Sequence, residues 1–315
     1  MAITAKEVKE LREITGVGMM KCKEALVACD GDKDKAVDWL REKGLAAQVK
    51  KAGKVAAEGV SKAYSIDGVG VVLEVNSQTD FVAKNDVFQA YVDDVAAVVA
   101  AENPADVEAL KNATYPGTDR TVDAVTADKV LSIGENIQIR RFVRYDTGVN
   151  VPYVHMGGKI GVLVNLEVSD GLADSEKVVE LGKDLAMQIA AMSPSYVRSS
   201  EIPAEEVEKE QAVQLAKAME ESANDPKMSK MPEQKRAMIA QNKVKGRMNN
   251  FYAEVCLLNQ QYVKENKTTV EQHVNAVAKE LGGAINVVKF ERFVTGEGIE
   301  KKEENFADEV SSMIK

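Results

Sequence analysis

One segment of the sequence, residues 79–85, places an anion beside a large aromatic where a strand gives way to a helix. It reads Thr-Asp-Phe-Val-Ala-Lys-Asn, so Asp80 directly precedes Phe81. In a purely structural interpretation, Thr79 or Asp80 caps the helix and Phe81 packs into the core beside it. The pattern by itself favours that interpretation, although no other segment of the chain resists it as much.

Motifs of nucleotide-binding and hydrolytic enzymes are missing from the sequence. Glycine pairs occur at residues 16–18, 68–70 and 296–298, but none continues to a third glycine, and there is no GxxxxGKS or GxxxxGKT loop. Three serines lack the GxSxG setting and a nearby histidine: Ser193, Ser195 and Ser199. Turns and helix ends explain these residues, so the sequence shows no enzyme active site and implies no cofactor.

Residues that could hold a metal are few and scattered. The two histidines, His155 and His273, have no Cys, Asp or Glu at metal-ligand spacing around them, so we expect no metal site. The three cysteines form no CxxC pair and are too few for a disulfide framework: Cys22, Cys29 and Cys256. That usage is typical of a reducing compartment.

Charge and hydropathy limit the partners that we expect. Lys and Arg number 41 against 50 Asp and Glu, a net charge of −9, which is unfavourable for coating a nucleic-acid backbone. The amino terminus carries charges where a signal peptide needs an apolar stretch, and no later segment has the length that spans a bilayer. We therefore expect a cytoplasmic protein without direct nucleic-acid or membrane contacts.

The elements that position these residues begin with three short helices over residues 1–53. Thr4 and Glu7 form a capping box before an apolar stripe, and Asp32 lies at the start of the third helix. Gly44 is predicted to end the third helix, and residues 49–54 to form a linker.

The pattern then changes to alternating strands. Residues 60–66 and 69–75 are joined by Asp67-Gly68, which tolerates the positive φ angles of a tight hairpin turn. A helix follows and ends before Pro104, and a third strand is predicted over residues 136–145.

A weak internal repeat indicates that this arrangement occurs twice. The run GVVLEV at residues 70–75 recurs as GVLVNL at 161–166, and the helix end AAENP at 100–104 recurs as AAMSP at 190–194. We predict an α+β fold with two similar α+β subdomains, each a small antiparallel sheet covered by helices. Chance similarity between Val-rich strands is the alternative.

Two long polar helices interrupt the second half, over residues 204–222 and 233–249, with prolines bounding the turn between them. Their apolar stripes predict a protruding antiparallel helical hairpin, a short coiled coil. The predicted seam is formed by Ala212, Leu215, Ala216, Met219, Ala240, Val244 and Met248. A last helix, predicted over residues 305–315, has an Asn cap and an apolar stripe suited to docking.

Taken together, these elements predict five segments. They are a helical module at 1–53, a first core subdomain at 54–145, a second at 146–200 and 250–295, a hairpin at 201–249 inserted in the second, and a carboxy-terminal module at 296–315.

Several motifs, in order along essentially the whole chain, resemble the bacterial elongation factor Ts family. The opening run VKELR with TGVGMM is followed by LEVN and QTDFVAK, the most diagnostic run, and then by IGEN, IGVLV, EVEKE, GRM and GEGIEK. Most are weak alone but they are highly specific together. Residues 103–131 and 145–154 depart from the compact family pattern, so no contacts are carried over there.

The resemblance implies a guanine-nucleotide exchange factor that binds elongation factor Tu with bound GDP. In the family, the strand-to-helix turn enters the partner GTPase beside its magnesium, which here maps onto Thr79, Asp80, Phe81 and Val82. The first module would be similar to ubiquitin-associated domains. Further partner contacts are expected at Val17, Gly18, Met19, Met20, His155 and Gly157. The resemblance associates the hairpin with a homodimer or with further interactions.

A second hypothesis belongs to a different class of protein. The first 53 residues could bind peptides or proteins as an adaptor similar to ubiquitin-associated domains, with the rest of the chain a passive scaffold. For His155 a hydrogen-bonded surface histidine is the more common structural alternative.

Overall fold

The computed structural model describes residues 3–228 and 231–300 as an α+β fold with small antiparallel sheets. Within these residues the chain forms two compact units. The first comprises residues 3–146, 152–162 and 293–300, and the second comprises 147–151 and 163–292. The predicted helix at 305–315 lies outside the described residues. The five predicted segment boundaries stay a prediction.

The first unit begins with the three predicted helices, α1 (Ala5–Thr15), α2 (Met19–Ala28) and α3 (Lys33–Lys51). The capping box of Thr4 and Glu7 starts α1, and the Asp32 carboxylate caps α3. Apolar residues from all three helices share one small core that includes Leu11, Leu26 and Leu40. Burying these leucines stabilises the module, because α1 and α2, with 11 and 10 residues, are too short to be stable alone.

Gly44 does not end α3, which continues to Lys51, so the predicted helix stop and the first half of the predicted linker are wrong. The glycine instead permits close packing against α7 (Val122–Ile133). A Cβ atom at Gly44 would lie 3.1 Å from the Ala127 carbonyl oxygen. The missing side chain therefore serves helix packing rather than helix termination.

The first sheet has the antiparallel order β1-β2-β3, with β1 (Glu58–Ile66), β2 (Val69–Ser77) and β3 (Gln138–Tyr145). Asp67 and Gly68 have φ angles of 49° and 83°, which confirms the predicted hairpin turn. The one-turn helix α4 (Asp80–Ala83) and the long α5 (Asp86–Glu102) follow β2, and α5 buries Phe88 and Tyr91. Residues 103–131 hold α6 (Val107–Asn112) and most of α7.

The second sheet has the order β4-β5-β8, with β4 (Val149–His155), β5 (Ile160–Val168) and β8 (Ile285–Val294). The helix α8 (Glu176–Met192) follows β5, and α11 (Val270–Leu281) precedes β8. Between them lie short 3₁₀ turns and the two-stranded pair β6 (Gln261–Tyr262) and β7 (Glu265–Thr269).

The predicted internal repeat is present in the structure. β2 and β5 are each nine residues long and each is the central strand of its sheet. The helices α5 and α8 are each 17 residues long, and each ends at a left-handed residue before a proline, Asn103 (φ 48°) and Ser193 (φ 51°). The two α+β halves therefore share the lengths of their central strand and long helix as well as the sequence similarity there.

The helical hairpin consists of α9 (Ala204–Asn224) and α10 (Glu233–Val255). The seam prediction is wrong for most of α9, where the buried residues are Ala218 and Ser222 while Ala212 and Leu215 are exposed. Small residues allow a close approach at that end, where Glu221 pairs with Arg247 of α10. On α10 the predicted Ala240 and Met248 are buried.

A buried carboxylate in β2 fastens residues 293–298 to the first sheet. Glu74, fully buried, accepts hydrogen bonds from the Gly296 N–H at 2.7 Å and the Arg141 Nε at 2.7 Å. Arg140 and Asn76 each donate to it at 3.0 Å. A four-donor set of this kind satisfies a charge that would otherwise be costly to bury.

Candidate functional site

Residues 79–82 form the sharp link between β2 and α5. Thr79 is extended, and its hydroxyl oxygen accepts a hydrogen bond from the Val82 N–H at 3.4 Å, so Thr79 is the cap of α4. Asn85 then caps α5 by accepting from the Phe88 N–H at 3.4 Å. The two caps therefore enclose a single helical turn between β2 and α5, and Phe81 lies on that turn.

Phe81 points away from the protein, with 81% of its surface exposed. The aromatic that fills the core beside this turn is Phe88, which is fully buried, together with the buried Ala83. The capping part of the structural interpretation is therefore right, but its placement of Phe81 in the core is wrong. An exposed phenylalanine on a short turn is typical of a side chain that becomes buried in a partner.

Asp80 presents a negative charge next to the exposed ring. Its Oδ2 accepts a hydrogen bond from the Lys84 Nζ at 2.8 Å, which lowers the pKa of the carboxyl below its ordinary value. The lowered pKa keeps Asp80 ionised at neutral pH, and the carboxylate remains accessible because the pair is solvent-exposed. The turn therefore offers an apolar ring and a carboxylate side by side.

A second carboxylate, Glu135, lies just after the end of α7 and accepts hydrogen bonds from the turn. One oxygen accepts from the Gln78 N–H at 3.1 Å and the Thr79 N–H at 3.0 Å, and the other accepts from the Thr79 hydroxyl at 2.8 Å. The Gln78 side-chain oxygen accepts from the Asn136 N–H at 2.9 Å. Glu135 appears in the sequence analysis only within the IGEN motif and without an assigned role, because 56 residues separate it from Thr79 and no local pattern links them.

The turn borders an open groove of about 490 Å³ that extends to the end of α1. It is lined by residues at the end of α1, on the turn, at the start of α5 and at the end of α7, and these include Gly16, Phe81, Val82, Val87, Ile133 and Glu135. The amino-terminal helices and the Phe81 turn therefore share one surface.

The predicted contacts on the first helices are placed unequally. Val17 is buried in the three-helix core and only 2% exposed, so its side chain is not available to a partner. Gly18 precedes α2 as its cap residue. Met19 and Met20 begin α2 and are 49% and 70% exposed. Of these four residues, the two methionines offer apolar side chains at the surface.

His155 and Gly157 lie on a different turn, between β4 and β5. The Tyr153 hydroxyl and the His155 Nδ1 are 2.9 Å apart, and the His155 carbonyl accepts from the Gly158 N–H. Gly157 is exposed with a φ of 65°, next to the exposed Met156. The histidine is thus a hydrogen-bonded residue at a surface turn, as the structural alternative for it expected.

The described residues supply this site with side chains that can contact a partner. Within residues 3–228 and 231–300, no group of three or more His, Cys, Asp or Glu residues is arranged to hold a metal ion. In the same residues, no helix combines the length and apolar character needed to cross a bilayer. The two site carboxylates are engaged by Lys84 and by the backbone of the turn.

Comparison with known proteins agrees with the motifs along the chain. A family model described as elongation factor TS matches residues 78–297. The chain is 47% identical to elongation factor Ts of Syntrophotalea carbinolica, with all of both chains covered. It is 45% identical to elongation factor Ts of Magnetococcus marinus and 46% identical to that of Clostridioides difficile, covering 99% or more of each chain. The chain therefore belongs to the elongation factor Ts family of translation elongation factors.

Proposed function

We propose that this protein is a guanine-nucleotide exchange factor that binds elongation factor Tu with GDP and accelerates GDP release. Family membership supports a role in translation elongation, and the family's partner is elongation factor Tu. The observation that carries the proposal is the exposure of Phe81 on a turn anchored by Glu135. The site residues are Thr79, Asp80, Phe81 and Val82.

The turn acts by separating groups in the partner that hold magnesium and phosphate. A phenylalanine covers about 150–250 Å² when it becomes buried, and Phe81 has most of that surface available before binding. The Asp80 carboxylate enters beside it and disturbs the polar network around the ion. Because magnesium bridges the phosphate oxygens, its displacement weakens nucleotide binding.

No covalent bond changes in this scheme. The exchange factor and GDP lower one another's affinity by the same factor, so a ternary complex forms in which both are weakly bound. GDP then leaves faster, and the nucleotide at higher concentration refills the site. The protein is in this sense a non-catalytic partner of a GTPase.

Supporting contacts hold the partner in place during exchange. Met19 and Met20 form the exposed apolar start of α2, on the module that borders the Phe81 groove through Gly16. His155 and Gly157 supply a further contact on the β4–β5 turn. These assignments follow the family resemblance.

The decisive experiment is stopped-flow release of fluorescent GDP from elongation factor Tu. Phe81→Ala should slow the stimulated rate by roughly thirtyfold or more, the equivalent of an interface hot spot of about 2 kcal/mol. When magnesium is chelated, spontaneous GDP release should become fast, and the release rates measured with wild type and with Phe81→Ala should become equal.

The matched control is Met192→Ala, which truncates an equally apolar exposed residue, 49% exposed, at the end of α8. It should stimulate release as the wild type does. Equal rates for Phe81→Ala and wild type would eliminate the wedge mechanism, and no stimulation by the wild type at any concentration would eliminate exchange activity itself.

A further inference from the structure

The link that carries Phe81 has little support of its own. The helix α4 is only four residues long, and one helical turn is unstable in water without tertiary contacts. The turn is closed by the Thr79 cap, by backbone hydrogen bonds from the Ala83 N–H to the Thr79 carbonyl and from the Lys84 N–H to the Phe81 carbonyl, and by the Ser77 hydroxyl, which donates to the Thr79 carbonyl at 2.9 Å. Most of these bonds involve Thr79, so the direction of Phe81 depends on what fixes Thr79.

Glu135 supplies that fixation with a single carboxylate. Its two oxygens accept both backbone N–H groups of residues 78 and 79 and the Thr79 hydroxyl, all within 3.1 Å. Hydrogen bonds to an ionised acceptor are stronger than neutral ones, and three donors converge here on one side chain. The same Thr79 hydroxyl also caps α4, so the carboxylate orients the cap itself.

Glu135 is in turn held by the end of α7. Gly134, with a φ of 90°, terminates that helix, and the Lys51 Nζ of α3 donates to its carbonyl. The Lys21 Nζ of α2 donates to the Leu131 carbonyl at 3.0 Å. Two lysines from the amino-terminal helices therefore fix the carbonyl end of α7, from which Glu135 reaches the turn.

We propose that Glu135 is a positioning residue for nucleotide exchange, which keeps Phe81 in the orientation that enters the partner. The inference rests on the proposed function of Phe81 and adds a residue that acts through it. Without the clamp the turn samples several orientations, and the apparent affinity falls in proportion to the competent fraction. In this role Glu135 acts by reaching and bonding the three donor groups of the turn, and its charge does not act on the partner directly.

Three substitutions separate reach from charge. Glu135→Ala removes the clamp, and Glu135→Asp keeps the charge but is one methylene too short for all three donors. Glu135→Gln loses the charge but keeps the reach: its oxygen can accept from both N–H groups, and its NH₂ group can donate to the Thr79 hydroxyl oxygen. For a positioning role, Ala and Asp should each slow stimulated GDP release by about tenfold, whereas Gln should stay within about threefold of wild type. If the charge acted directly on the partner, Asp would be the mild variant and Gln the severe one, which would overturn the proposal.

A double substitution tests whether Glu135 acts through Phe81. In a Phe81→Ala background, Glu135→Ala should slow release by less than about twofold, because the group that it positions is absent. An undiminished tenfold effect in that background would mean that Glu135 works independently of Phe81. Glu108→Ala, which breaks an exposed ion pair on α6, is the control and should match wild type.

Hydrogen exchange of the free protein tests the positioning role of Glu135 without the partner. A failure of this role can therefore be distinguished from a failure of the proposed exchange function. In hydrogen exchange of the free protein, Glu135→Ala and Glu135→Asp should lower protection of the residue 78 and 79 amides by about tenfold, with the β1 and β2 amides unchanged. Unchanged protection at 78 and 79 would refute the positioning role even if Phe81 proves essential. Loss of protection throughout the sheet would show a general folding defect and would equally count against it.

Discussion

Replacing Glu74 with glutamine should lower the stability of the first unit at neutral pH and leave it nearly unchanged in acid. Glu74 is completely buried, whereas its partners Arg140 and Arg141 keep 29% and 33% of their side chains exposed. Glutamine retains one acceptor oxygen and places an NH₂ group where the other oxygen stood, against donors that then have no acceptor.

Removing one member of a buried ion pair costs about 3–5 kcal/mol when its partners are also buried. Water can reach both guanidinium groups, so we expect a smaller loss of about 2 kcal/mol in the free energy of unfolding, close to one charge-assisted hydrogen bond. For a unit of this size the melting temperature should fall by about 4–8 °C.

The pH dependence follows from the pKa of Glu74 in the folded protein. Burial by itself raises that pKa, but the hydrogen bonds from its four donors outweigh burial and hold it below the ordinary value of 4.5. A carboxyl with a lowered folded pKa contributes stability above its unfolded pKa and loses it as the pH falls through the folded one. The difference between wild type and Glu74→Gln should therefore be full at pH 7 and shrink below about pH 4.

Urea unfolding followed by the fluorescence of Trp39, the single tryptophan, reports on the first unit, because Trp39 packs against the three-helix core. Glu108→Gln is the control, since Glu108 pairs with Lys111 at the surface and should change stability by less than about 1 kcal/mol. A Glu74→Gln loss no larger than this control at pH 7, or a loss that grows in acid, would refute the reasoning.

Three further predictions concern packing, the first module and the hairpin. Gly44→Ala should lower the melting temperature although alanine favours helix, because its Cβ would lie 3.1 Å from the Ala127 carbonyl, whereas Gly246→Ala, with open space around it, should raise the melting temperature slightly. Met20→Ala should weaken calorimetric binding to elongation factor Tu by about fivefold to thirtyfold without changing the melting temperature, because Met20 is exposed. The hairpin homodimer stays a prediction: sedimentation velocity should show a dimer that Leu215→Glu dissociates, and a wild type that is monomeric at all concentrations would contradict it.

The parts of the fold that were predictable from sequence have local signals. Asp67-Gly68 marked a hairpin because both residues had to adopt positive φ, and Thr4 with Glu7 marked a helix start. The missed elements have weak or conflicting signals. The helix α7 contains several β-branched residues, and burial overrides their local propensity. β4 contains Pro152, which is tolerated because β4 lies at the edge of its sheet.

The site was predictable only in part, for the same physical reason. Capping by Thr79 is a local interaction and was expected. The local sequence pattern, however, is the same whether Phe81 is exposed or buried. The core position beside the turn is filled by Phe88, and only the tertiary packing decides between the two rings. Long-range partners such as Glu135 and the donors to Glu74 are not indicated by any periodic pattern in the sequence.

The two halves of the chain differ in the segment that connects the central strand to the long helix. Residues 78–85 join β2 to α5 and contain a turn of helix with an outward aromatic, whereas residues 169–175 join β5 to α8, contain no helical turn and expose no large apolar side chain. The same framework of strand and helix thus occurs twice, once with a connector that carries an exposed aromatic and once with a connector that does not. Because each connector lies outside its sheet, the connector can diverge in sequence while the framework stays intact, and specificity for a partner can change without any change in the architecture that supports it.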